Sequence, residues 1–153
     1  MSSDLWSFAL AVYARPDVEA ACLRLQSAGA NVCLMLCGLW LEQRDATCDD
    51  GRVHQLRHIT DPWDRDVVQP LRALRLQWKD AADTDPLLKG MREQIKGLEL
   101  EAERALLSRL EGVAQGWARN SKESSDWLEG LAGEAANLNR DALRVLRVAA
   151  AGA

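Results

Sequence analysis

The sequence predicts an all-α fold: a helical bundle around one fully apolar central helix, followed by a C-terminal antiparallel helical hairpin. Three observations carry this. Val32 to Leu41 are ten apolar residues in a row. The segments on either side place apolar residues at spacings of three and four. These segments are bounded by Ser, Asp or Asn caps, by proline at a start or by glycine at an end.

The apolar run is the organising element. Asn31 can accept a hydrogen bond from a first-turn N–H, and Gly29 can take the left-handed conformation that ends the preceding segment, so a helix spans about residues 31–43. Leu34, Met35, Leu36, Leu39 and Leu41 favour a helix, and Val32 is the only β-branched residue, which makes a buried strand the weaker reading. Ten residues span roughly 15 Å, about half the hydrocarbon thickness of a bilayer, so the run is a core rod and no membrane span.

In chain order, Ser3 or Asp4 caps a first helix with one stripe of Leu5, Phe8, Ala9 and Val12 and a second of Trp6, Leu10 and Tyr13. Both faces want cover. Arg15-Pro16-Asp17 closes that helix and opens the next, with proline at the first helical position. Val18, Ala21, Cys22 and Leu25 then form a one-sided face that ends at Gly29. After the central helix, Glu42 to Gly51 reads as a surface loop leading into a short helix around Val53 to Ile59. Asp61-Pro62 reads as a further cap-plus-proline start, and Trp63, Val67, Leu71, Leu74 and Trp78 keep one apolar stripe. Pro70 sits inside it, removing a backbone hydrogen bond at a cost of about 3 kcal/mol. That predicts a kink or two helices meeting, and the unbroken stripe favours the kink.

Ala81 to Pro86 reads as a boundary between an N-terminal bundle, 1–82, and a long-helix hairpin, 86–149, packed on it or on a partner. Leu88, Met91, Ile95, Leu98, Ala102 and Ala105 alternate spacings of three and four, and Leu106, Leu110, Val113 and Trp117 resume the pattern. Gly116 to Ser125 is the expected turn. Asp126 with Glu129 resembles a capping box, and Leu128, Leu131, Ala135, Leu138, Ala142, Val145 and Ala149 repeat the spacing. Alanine buries little area, so the seam leans on the first part or on another subunit.

Composition narrows the function. At 48% hydrophobic and 27% charged residues the chain is globular, and a net charge of -4 argues against neutralising nucleic-acid phosphates. MSSDLWSF lacks the basic flank and apolar core of a secretory leader, so the expected location is the cytoplasm, where Cys22, Cys33, Cys37 and Cys48 stay reduced.

LWSFALAVYARPDVEAACLRLQ, GANVCLMLCGLWLE and WDRDVVQPLRALR resemble an uncharacterised proteobacterial family of small helical proteins, a domain of unknown function, over roughly Leu5 to Trp78 and not beyond about Pro86. The resemblance implies a bacterial, soluble, mostly helical protein. It supplies no activity, cofactor or site residue.

The chemistry is sparse. Cys48, His54 and His58 have C-x5-H-x3-H spacing and form a weak metal candidate, against the plainer reading of two surface histidines and a loop thiol. Cys33 and Cys37 are four apart but lie in the apolar run, where packing explains them. Asp45 and Asp49 resemble the magnesium-diphosphate motif of helical isoprenoid synthases, but the second cluster, Asp61, Asp64 and Asp66, lacks the matching spacing. No nucleophile or phosphate-loop motif occurs, and no cofactor is implied. A basic stripe of Arg65, Arg72, Arg75 and Lys79, beside Trp63, is the candidate partner surface; its alternative is a solvated face paired with Asp64, Asp66 and acids of the next helix. Arg140, Arg144 and Arg147 form a similar stripe that the helix dipole explains. The expected function is a non-enzymatic interaction or adaptor module, including a homodimer through the hairpin. The alternative is a small-molecule site, as enzyme or sensor, in the N-terminal bundle near Trp40, Trp63 and Trp78.

Overall fold

The computed structural model describes residues 4–117, 127–133, 135–136 and 139–152, and every regular element among them is a helix. Helix α1 is Leu5–Tyr13, with the Asp4 carboxylate accepting from Ser7 N at 2.7 Å. Helix α2 is Val18–Ser27, and α3 is Val32–Gln43. The start of α3 follows the sequence: Gly29 has φ +101°, and Asn31 Oδ1 accepts from Leu34 N at 3.0 Å. Pro16 does not open α2. Asp17 does, from the left-handed region at φ 68°, a conformation that aspartate tolerates better than most residues.

Cys33 to Leu41 are all buried, because α3 has no polar face to give to water. Helices on every side cover it: α1, α2 and four that follow in the chain. The loop after α3 is shorter than the polar stretch suggested. Asp49 caps α4, Asp50–Trp63, accepting from Arg52 N at 2.8 Å, so Asp61-Pro62 falls inside a helix already under way. A π-helical turn, Asp64–Val68, leads directly into α5, Gln69–Gln77, with Pro70 in its first turn. The Gln69 N–H donates five residues back, to Asp64 O. This wider turn gives the Pro70 ring room that an α-turn denies it, so the helix changes register where a plain kink was expected.

After the short α6, Lys79–Ala82, α7 runs from Pro86 to Ala114. Asp85 caps it with bonds from Leu87 N at 3.1 Å and Leu88 N at 3.3 Å. At 29 residues it is about 43 Å long. Its C-terminal half enters the core through Ala102, Leu106, Leu107, Leu110 and Ala114. Its N-terminal half splits the expected seam, with Leu88 and Ile95 half-buried while Met91 and Leu98 are exposed.

The C-terminal segment is arranged differently from a hairpin on α7. Helix α8, Trp127–Ala132, packs on α3, and α9, Arg140–Ala151, packs on α2 and α3. Gly133, at φ +57°, ends α8 where a longer helix was expected. The bare faces of α3 offer these alanine-rich pieces more apolar area than their own seam does. Of the expected features here, the turn from residue 118 on, Asp126 and Leu138 lie outside the described residues, as does Ser3. Residues on both sides of Pro86 join one contiguous core. Arg147 fastens it: Nε and Nη2 each lie 3.0 Å from a Glu42 oxygen, and Nη1 lies 2.7 Å from Glu129 Oε1. Carboxylate partners therefore place this arginine, where the helix dipole had been the expected reason. Trp127 is wholly buried, with its Nε1 donating to Ala46 O at 2.8 Å.

Gly38 marks the closest approach of α3 and α8, where a Cβ would stand 2.8 Å from Leu131 Cδ1 and 3.3 Å from Trp127 Cβ. Gly38→Val is expected to lower unfolding free energy by about 2 kcal/mol through overpacking, read as a lower urea midpoint at unchanged slope. The Thr60 hydroxyl is buried with no hydrogen-bond partner among the described residues. Thr60→Val should raise stability by about 1 kcal/mol in the same titration.

Candidate functional site

A cleft of about 600 Å³ separates α1 and α2 from α5 and the middle of α7. That is a volume typical of small-molecule sites. Apolar side chains gather at its rim: Leu10 is 51% exposed, Tyr13 41%, Leu23 53% and Leu100 53%. Exposure of large apolar groups is unremarkable when scattered, but these four border one cleft.

The opposite wall is ionic. Arg72 and Arg75, three apart on α5, project from one helix face, and Glu99 and Glu103, four apart, do the same on α7. The turn between α6 and α7 folds these helices together. Glu99 is buried, accepting from Arg75 Nε at 2.6 Å and Nη2 at 3.3 Å and from Arg72 Nε at 3.2 Å. Arg72 Nη2 stands 3.6 Å from Glu103 Oε1. Arg92 Nε donates to Arg75 O at 2.9 Å and fixes the end of α5.

Burial alone would push the Glu99 carboxyl up, but the hydrogen bonds and charges of Arg75 and Arg72 outweigh it and hold the group below the usual carboxylate range. Glu103 is pushed the other way, by burial first and then by the negative charge of Glu99, with Asp64 adding to it. Burial also raises Tyr13 and the thiols, Cys22 to about 11 and Cys37 to about 12, with Cys33 higher still, so none of these three thiols is a ready nucleophile at neutral pH. The cleft thus sets exposed apolar side chains beside an ionic wall.

Of the residues singled out in the sequence, Arg72 and Arg75 meet in the cleft. Arg65 is exposed on the π turn and pairs with its neighbour Asp66 at 2.9 Å. Lys79 is exposed on α6. Trp63 is half-buried, donates through Nε1 to Ala102 O at 2.8 Å and lies 4.1 Å under the Arg109 guanidinium, so it ties α4 to α7. His54 and His58 sit side by side, exposed, on α4, with ring centroids 6.4 Å apart. Cys48 precedes them on the loop, and among the described residues no three such side chains are close enough to hold a metal ion. Asp49 is the α4 cap, and Asp45 occupies a left-handed turn at φ 54°. The site residues missed in the sequence are Glu99, Glu103, Leu10, Tyr13, Leu23 and Leu100.

Fold and site define an all-helical protein with an amphipathic cleft. The chain belongs to the family described as Protein of unknown function (DUF2390), whose model matches residues 4–110. The match runs past Pro86, where the resemblance was expected to stop, and takes in the whole ionic wall. No curated protein and no solved structure matches the chain. Among the described residues no helix is long and apolar enough to cross a membrane.

Two substitutions separate the carboxylates. Glu99→Gln leaves two largely covered arginines without their shared counter-charge and should lower stability by about 3 kcal/mol at pH 7. That stabilising contribution is present above the unfolded carboxylate value and is lost as pH falls through the depressed folded value. Glu103 has the opposite sign, its raised value making the ionised form a liability as pH rises. Glu103→Gln is therefore expected to equal or exceed the wild type in stability at pH 8 and to lose that advantage near pH 4, measured by urea unfolding.

Proposed function

We propose that the protein is a non-enzymatic interaction module acting in the bacterial cytoplasm, and that its working surface is the arm formed by α5, α6 and the first half of α7. The observation that carries this is the arm's lack of a core: among residues 69–98, all described, only Ala82 is buried. Two helices cover only one face of each other. The outward face of this pair carries Leu76, Leu87, Met91 and Leu98, with Leu87 77% exposed. The apolar strip continues toward the body along a shallow groove lined by Trp63, Val67, Leu71 and Ala105.

Met91, Leu98 and Ala105 recur every seven residues, the period of helices that pack along their length. A second arm of the same kind completes a four-helix bundle, and a two-fold axis lets one patch serve both copies. The occupant proposed is thus a second copy of the chain. Arg65 and Lys79 would then form part of its polar rim, with Arg72 and Arg75 withdrawn into the cleft.

The test is native mass spectrometry and sedimentation of the full chain and of a Met91→Glu, Leu98→Glu double variant. A dimeric wild type is expected, with a monomeric variant whose helical circular dichroism and urea midpoint are unchanged. A wild type that is monomeric and partner-free at every concentration rejects the reading, as does a variant that assembles equally well.

A further inference from the structure

The cleft, which is separate from the arm's outer face, carries a ligand chemistry in its walls. Of the described residues, five carboxylates line it, Glu19, Asp61, Asp64, Glu99 and Glu103, against three cations, Arg57, Arg72 and Arg75; Arg57 is turned to the Leu131 carbonyl at 2.7 Å, while Arg72 and Arg75 face Glu99. Glu99 takes the close contacts of both guanidiniums. Among the described residues Asp64 receives only the neutral amide of Gln69, at 3.1 and 3.3 Å. Among the described residues Glu103 has one ion pair, the 3.6 Å contact with Arg72, and no hydrogen bond reaches its carboxylate. This half-covered group lies within electrostatic reach of Tyr13 and Asp64. The space in front of it therefore holds surplus negative charge in a partly dry setting, which a cation relieves and an anion aggravates.

The rim supplies the surface for the body of the ligand, from α1, α2 and, beside the carboxylates, α7. Leu10, Leu23 and Leu100 offer apolar surface, and Tyr13 offers a ring face to a cation or an aromatic group. A volume of about 600 Å³ suits a small molecule and is short of a partner helix.

We propose that this cleft binds a small organic amine, with the protonated nitrogen at the Glu103 carboxylate and an apolar or aromatic body against Leu10, Tyr13, Leu23 and Leu100. The amine stays charged at neutral pH, and Glu103 supplies the acceptor that the protein's own donors leave open. Arg72 and Arg75 spend their close hydrogen bonds on Glu99, so Glu103 keeps only the longer 3.6 Å contact with Arg72 Nη2 among the described residues.

Three probes of one shape and different head test this on the full chain: 2-phenylethylamine, 2-phenylethanol and 3-phenylpropionate. Binding is followed by calorimetry and by amide shifts of residues around the cleft. The amine should bind about tenfold or more tighter than the other two, the range of one charged hydrogen bond. Glu103→Gln, which keeps the fold, should bring the amine down to the alcohol's affinity and leave the alcohol unchanged; Asp64→Asn should weaken the amine alone by a smaller factor. Leu10→Ser should weaken all three. A carboxylate that binds as well as the amine overturns the proposal, as does an amine preference that survives Glu103→Gln or an absence of shifts around the cleft. Repeating the titration on the Met91→Glu, Leu98→Glu variant keeps the arm and the cleft distinguishable, since amine binding should persist there.

Discussion

Everything in this fold follows from α3 having no face it can show to water. A helix with one apolar stripe needs one neighbour, whereas Cys33 to Leu41 need neighbours all round. The rest of the chain is divided among those sides: α1 and α2 first, then α4 and α7, then α8 and α9. Polar work is done at the ends of α3. There Glu42 receives both Arg147 and the backbone N–H of Leu128, so one carboxylate joins α3, α8 and α9. Where α3 ends, the need for cover ends too, and the part of α7 that lies beyond it is the part left without a core.

The same logic explains what could be read from the residues and what could not. Local signals at Asp4, Gly29, Asn31 and the Asp85-Pro86 pair act within one turn, and each appears in the structure with its hydrogen bond or its positive φ. Asp61-Pro62 carries the same local signal and failed, because Asp49 had already started a helix and proline near a helix end is tolerable when the next turn widens. The C-terminal segment misled for a longer-range reason. Its spacing of three and four was real, but spacing names a buried face without naming the neighbour, and α3 outcompeted α7 for it.

The candidate site was half legible for a related reason. Arg72 and Arg75 stood out as a basic stripe, and the acids of the next helix were considered as their partners, but only folding at the turn before Pro86 shows that Glu99 sits between them. A second signal was in the double apolar pattern of α1. Its Trp6 face is only partly covered, with Arg104 lying 5.0 Å from the ring, while Leu10 and Tyr13 remain open to the cleft. Periodicity showed that this face wanted cover. It had no means of showing that the cover would be withheld.

The π turn between Pro62 and Pro70 makes the arm's orientation depend on residue count. One residue advances an α-helix by about 100°, so removing a single position between those prolines would swing Arg72 and Arg75 about a quarter-turn or more away from the cleft. The loop at residues 83–85 has no such leverage, since losing a residue there shortens the tip and leaves the helix faces where they are. Length variation among family members should therefore be permitted at the tip of the arm and suppressed at its root.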